Sequence, residues 1–273
     1  MIIKFLSPQW GHEQVPIISF LDQVRAVGYD GIEMWMPLEQ ADQTVLGEYL
    51  QTYEMPIVVH QHEANGKDFS SFKQSFANNL RQCNTLNPLL INSHTGHDYF
   101  TLEQQLELID IAEDFSVKTG TLVCHETHRG RMGYSPQNME QILQQRAALK
   151  LTADLSHWTC VTESMLENFT DVLQSTLSNT RHVHARVGFE EGPQVSDPRA
   201  PEWGYALHHF LGWWDQIVLN NVEAGTEILS FTTEFGPRPY MPCIPFTNNP
   251  VADQFEVNCF MKDLLRERYS TYV

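Results

Sequence analysis

The chain has 273 residues, 42% of them hydrophobic, enough for one large core and a usual length for a single α/β barrel. Its 34 acidic residues against 17 basic ones give a formal charge of −17, a field that opposes a polyanion, so no nucleic-acid partner is expected. No apolar run approaches 18 residues and the first residues show no basic segment before a long apolar one, so neither a membrane partner nor a secretory signal is expected. The five cysteines are scattered without a C-x-x-C pair, which together with the leaderless start points to reduced thiols and a cytoplasmic protein.

In chain order, Ile2–Leu6 reads as a first strand, followed by a helix over Val15–Val27 that Gly28 closes. Tyr29–Trp35 reads as strand two, Gln43–Tyr53 as helix two and Met55–His60 as strand three. Phe69–Cys83 is helix three and Pro88–Asn92 strand four. Thr101 and Gln104 form a reciprocal cap for a helix running to about Lys118, with Gly120 at its end. The stretch TLVCHETHRGR, residues 121–131, opens as strand five and then turns abruptly ionisable. Pro136 starts helix five, Leu149–Asp154 is strand six, and Thr162–Leu177 reads as one helix. Arg181–Arg186 is strand seven, Ala206–Asn220 helix seven, Ile228–Glu234 strand eight and Pro250–Tyr269 the last helix. Eight strand–helix units without a linker predict a single (β/α)8 TIM barrel over residues 1–273. A doubly wound sheet is the alternative, but S-P-Q-W-G-H after strand one is not a phosphate-binding glycine loop.

In such a barrel the strand ends meet at one mouth. Strands five to eight each deliver a carboxylate or imidazole there: Glu126, Asp154, His182 and His184, and Glu234. Buried carboxylates are costly unless paired or metal-bound, so the group predicts a metal site. Three carboxylates with one imidazole form an oxygen-rich set that suits Mn²⁺, Mg²⁺ or Co²⁺ better than a structural zinc. His182 and His184 share a strand face, and either could be the imidazole ligand. His157 lies three residues past Asp154 and is expected to face substrate. Glu33, His60, His94, Arg186 and Trp35, also at strand ends, are expected to contact substrate, Trp35 by stacking or by core packing; Arg129, Arg131, Arg186 and Arg199 could each bind a phosphate or carboxylate or else form surface salt bridges. The long segment 189–204 is expected to act as a stiff lid, and the Trp213-Trp214 pair is the expected face for a homo-oligomer.

At these residues the chain resembles the xylose-isomerase-like barrel superfamily, a group of sugar isomerases and epimerases that also includes endonuclease IV. The resemblance rests on Glu126, the D-x-x-H of Asp154 and His157, the H-x-H of His182 and His184, and Glu234. It implies one divalent metal, manganese first, with magnesium, cobalt or zinc as alternatives, bound by Glu126, Asp154, His184 and Glu234. It implies a small-molecule sugar or sugar derivative as substrate. Glu126 and Glu234 would move a proton next to a carbonyl through a metal-stabilised enediolate, with His157 on the substrate oxygens. Met132 stands where ketose 3-epimerases of this type usually carry a further glutamate, six residues after Glu126. The alternative activity is endonuclease IV-like hydrolysis of abasic DNA, for which His60 and His94 stand at the corresponding strand ends. The D-x-H that such a nuclease needs between strands seven and eight is missing, and His208-His209 lies instead in a predicted helix.

Overall fold

The computed structural model describes residues 1–272. Eight parallel strands close into a barrel in sequence order: β1 (Ile2–Pro8), β2 (Gly31–Met34), β3 (Ile57–Gln61), β4 (Leu90–Ser93), β5 (Val123–Glu126), β6 (Leu151–Ala153), β7 (Thr180–His184) and β8 (Ile228–Thr232), which pairs back onto β1. Helices α1 (Ile17–Ala26), α2 (Gln40–Thr52), α3 (Phe69–Cys83), α4 (Leu102–Thr119), α5 (Pro136–Gln145), α6 (Ser156–Thr162), α7 (Thr170–Asn179), α8 (Gly204–Glu223) and α9 (Gln254–Arg268) fill the connections and follow the last strand. Local chemistry sets their ends. Thr101 and Gln104 form the expected reciprocal cap, Ser135 caps α5 ahead of Pro136, and Gly120 ends α4 with φ of 78°.

Strand alternation divides the core in two. Outward residues such as Phe5, Val59, Ala153, Val183 and Phe231 join the apolar stripes of the helices in the main core. On α3 that stripe is Phe72, Phe76, Leu80 and Cys83. Inward residues Leu6, Val58, Leu90 and Cys124 form a separate apolar plug inside the barrel. Two residues further along β3 and β5 the inward positions are His60 and Glu126, so the interior turns from apolar to ionisable within one layer. The same alternation points His182, His184 and Arg186 inward, while Val183 and Ala185 face the helices.

Three expectations need correction. The single helix over Thr162–Leu177 is two helices, because Glu163 and Leu166 adopt positive φ (49° and 63°) and interrupt it. α6 starts earlier, where Asp154 Oδ1 accepts from Ser156 N (3.1 Å) and Ser156 Oγ (2.5 Å), so His157 stands in a helical first turn. The Trp213-Trp214 pair is not an open face. Trp214 is buried, and both rings pack on Phe210 at 4.9 and 5.8 Å. No residue of the segment 189–204 lines the cavity at the mouth; Gln194 is buried and pairs with the backbone of Gly236, Nε2 donating to its O (3.1 Å) and Oε1 accepting from its N (2.6 Å). No helix among the described residues is long and apolar enough to cross a membrane.

Candidate active site

The floor of the site is built around Glu33. Its Oε2 accepts from Thr232 Oγ1 (2.5 Å) and lies 3.0 Å from His182 Nε2. Its Oε1 accepts from Asn92 Nδ2 and meets His184 Nε2, both at 3.0 Å. Burial opposes ionisation of Glu33, but the His184 and His182 rings outweigh it and hold its pKa well below the usual carboxylate range. Expected to contact substrate, Glu33 is instead spent on these protein partners. A carboxylate accepts, so Nε2 of His184 carries the hydrogen and its Nδ1 faces the mouth.

Three carboxylates gather around this ring. Glu234 Oε2 lies 2.8 Å and Glu126 Oε1 3.6 Å from His184 Nδ1. Ligand atoms of Glu126, Asp154 and His184 all lie within 4.8 Å of one another. Although His184 Nδ1 and Glu234 Oε2 are close, neither makes a hydrogen bond within normal geometry, and both are buried. Two donors at right angles on one ion, each about 2.1 Å from it, stand about 3 Å apart, so these atoms have the spacing of ligands aimed at a common centre. The group of Glu126, Asp154 and His184, with Glu234 Oε2 beside His184 Nδ1, therefore offers the donors for one divalent cation. Burial works against a charged His184 ring, yet Glu234, Glu33 and Glu126 raise its pKa well above the usual imidazole value. Burial likewise raises the pKa of Glu234, with Arg186 and His184 pulling the other way. Glu126 moves oppositely: its burial is outweighed by His94 and His184, and its pKa falls well below normal.

Around Glu126 runs an arc of imidazoles. Ring centroids of His60 and His94 are 4.2 Å apart, His94 and His128 4.2 Å, and His128 and His157 4.0 Å. Burial lowers the pKa of each, that of His60 to about 4, so the arc is neutral near pH 7. His60 Nε2 and His94 Nε2 approach Glu126 Oε2 to 3.8 and 3.1 Å without hydrogen-bond geometry, giving a second group able to hold a metal.

Arg186 is buried at the opposite side. Nη2 bonds Asp154 Oδ2 and lies 3.1 Å from Glu234 Oε2 and 3.2 Å from His157 Nε2. Its guanidinium sits over Tyr240 (4.6 Å) and Trp10 (5.7 Å). Above these groups opens a cavity of about 170 Å³ lined by Trp10, Trp35, His94, Glu126, Glu234 and Tyr240, among others. His60, His128 and Arg186 also reach it; Asp154 and His157 lie behind them. A larger groove of about 820 Å³ beside α2, with Glu48 and Glu54 in its lining, brings no imidazole and no basic group, so the chemistry belongs to the smaller cavity.

Two contributors escaped sequence reasoning. Asn92 Nδ2 donates to both Glu33 (3.0 Å) and Glu126 (2.8 Å), joining floor to mouth. Its inward position two residues before His94 was the available signal. Tyr240 comes from a proline-rich segment with no periodicity to reveal it. His208 and His209, considered for a nuclease, are on α8 and line no part of the cavity.

A family model described as xylose isomerase-like TIM barrel matches residues 21–227. No curated protein matches the chain. Among solved structures, a D-tagatose 3-epimerase-like protein is similar at 15% identity, with 98% of each chain covered and a TM-score of 0.62. The probable 3-DHS dehydratase AsbF, involved in petrobactin synthesis in Bacillus anthracis, is similar at 15% identity over 96% of this chain and 98% of its own, with a TM-score of 0.62. The 3-keto-D-glucoside 4-epimerase YcjR of E. coli gives 12% identity, coverage of 97% and 99%, and a TM-score of 0.61. At these identities the structures share the fold. With three quarters of its length matched by the family model, the chain belongs to the xylose isomerase-like TIM barrel family.

Proposed function

We propose that the protein is a divalent-metal-dependent isomerase or epimerase of a sugar or sugar derivative. The observation that carries this reading is the convergence of His184 Nδ1 and Glu234 Oε2, 2.8 Å apart outside hydrogen-bond geometry, beside Glu126 and Asp154. A divalent ion held by Glu126, Asp154, His184 and Glu234, manganese first, supplies Lewis acidity to a carbonyl when bound. The protein's own part is proton transfer. Glu126 and Glu234 come from different strand ends, β5 and β8, and both line the cavity. One of the two carboxylates takes the proton from the carbon next to the carbonyl, and the other, carrying a proton taken up from solvent, delivers it to the opposite face, which gives epimerisation. Return by the same carboxylate gives isomerisation. Trp10, Trp35 and Tyr240 offer ring faces to a sugar, and the neutral imidazoles of His60 and His94 offer hydrogen bonds to its hydroxyls. The five unpaired cysteines accord with a cytoplasmic site of action.

The test is solvent exchange. With Mn²⁺ and a panel of ketoses, aldoses and sugar acids, wild type should exchange one carbon-bound proton of an accepted sugar with deuterated water. Glu234→Gln should lose that exchange by at least about 100-fold while keeping the fold. Full exchange in Glu234→Gln removes Glu234 from proton transfer. The second reading, an abasic-site nuclease, is favoured by the group of His60, His94 and Glu126. Cleavage of abasic DNA by the Mn²⁺- or Zn²⁺-loaded protein would select it.

A further inference from the structure

Arg186 occupies ground that a divalent ion also needs. Its Nη2 bonds Asp154 Oδ2 and lies 3.1 Å from Glu234 Oε2, oxygens of two of the four residues proposed above to hold the ion. An ion about 2.1 Å from both oxygens would face the guanidinium hydrogens head-on. Asp154 Oδ2 either accepts from the N–H donor or binds the ion, and Glu234 Oε2 faces either the guanidinium charge or the ion. The remainder of the side chain has somewhere to go. Nη1 is buried, has no hydrogen-bond partner, and the residue lines the cavity. The plane already lies over Tyr240 and Trp10, which supply a ring-faced track toward that space. Arg129 lies over the same Tyr240 ring at 5.2 Å, and among the described residues neither it nor Arg131 has a carboxylate within 4.0 Å. Two guanidinium groups, Arg186 and Arg129, thus share the Tyr240 ring at the edge of the cavity, and Arg186 lines it with a donor to spare, more than a neutral sugar requires.

We propose that Arg186 and the divalent ion are alternative partners of the Asp154–Glu234 pair, and that the guanidinium displaced by the ion receives a carboxylate of the substrate. The substrate class is then a sugar acid or a related hydroxy acid rather than a neutral sugar. Metal and substrate bind in a coupled order, because the residue that grips the carboxylate is released only when the ion takes its oxygens. The inference rests on the metal-dependent reading of this site.

Direct metal binding tests it without any turnover. Free Mn²⁺ is followed by electron paramagnetic resonance during titration of wild type, Arg186→Met and Arg186→Lys. Each titration is repeated with gluconate and with sorbitol, its neutral counterpart, and gluconate alone corrects for chelation in solution. Arg186→Met should bind Mn²⁺ at least tenfold more tightly than wild type, and Arg186→Lys should fall between them, since lysine keeps the charge but not the fork. Gluconate should tighten Mn²⁺ binding to wild type threefold or more, sorbitol should not, and the gluconate effect should vanish in Arg186→Met. Equal Mn²⁺ affinity in all three folded proteins overturns the competition. A gluconate effect that persists in Arg186→Met, or is missing from wild type, overturns the carboxylate role. No Mn²⁺ binding by any of the three overturns the metal reading itself, a result distinct from equal binding. Should Arg186→Met fail to fold, the wild-type and Arg186→Lys titrations carry the same comparison.

Discussion

Glu33 controls the direction in which His184 works. Its carboxylate accepts from the Nε2 side of the ring, which leaves Nδ1 toward the carboxylates of the mouth. Glu33→Gln keeps the shape but replaces an acceptor oxygen with a donor amide that faces Asn92, His182 or His184. The fold should survive, and Mn²⁺ affinity measured by calorimetry should fall about 10- to 100-fold, the usual loss when an outer partner of a metal-binding histidine is removed. Unchanged affinity would show that the ring is oriented by something else. At this scale the sequence was partly legible. Alternation brought His182 and His184 to one face and Glu126 inward, as the barrel shows. It could not rank them by depth. Glu33 pairs in register with Val58, two residues before His60 on β3, so it lies a layer below the strand ends it was grouped with. Depth depends on strand stagger, which a single strand's residues do not encode.

The elements most exposed to misreading were those without periodicity. Eight strand–helix units could be read because each short apolar run was followed by a 3.6-residue stripe and often a cap. The break at Glu163–Leu166 could not, since positive φ at non-glycine residues has no composition signal. The segment 189–204 was long enough to suggest a lid, yet it braces the loop after β8 that carries Tyr240 to the cavity. Gly236 in that loop lies against Trp10 so closely that a Cβ there would be 2.3 Å from the indole. Gln194 satisfies both backbone groups of Gly236, so Gln194→Ala leaves a buried N–H and a buried C=O unpaired. Each such loss costs about 1–3 kcal/mol. Urea denaturation should show Gln194→Ala less stable by about 2 kcal/mol or more. KM for an accepted sugar should rise more than kcat falls, because Tyr240 and Trp10 lose their support while the carboxylates stay in place. Wild-type stability in this variant would mean that the loop is held by other contacts.

The whole molecule concentrates its titratable burial at one end of the barrel, above an apolar plug, and that division sets its response to pH. Burial lowers the His125 pKa from 6.5 to about 4, and His60 likewise to about 4. In the unfolded chain these rings bind a proton near 6.5. Between pH 6.5 and 4 the unfolded state therefore holds more protons than the folded one, and stability rises with pH. Their contribution is present above 6.5 and is lost as pH falls toward 4. His184 has the opposite sign: its raised pKa gives a contribution complete below 6.5 and lost as pH climbs through the folded value. Maximum stability should therefore lie near neutrality, with a steep acid limb. His125 isolates one proton of that limb. It points out of the barrel, away from the cavity, and its ring contacts Thr95 Oγ1 at 2.6 Å. Thr95 keeps a second partner in Ser93 Oγ at 2.8 Å, so His125→Phe does not strand the hydroxyl. The variant cannot take up a proton at this position in either state. Urea denaturation at pH 7, 6, 5 and 4.5 should show a shallower loss of stability than wild type, by up to about 1.4 kcal/mol per pH unit within the window. Parallel curves for the two proteins would mean that His125 protonates alike in both states, and that the acid limb belongs to the imidazoles of the mouth.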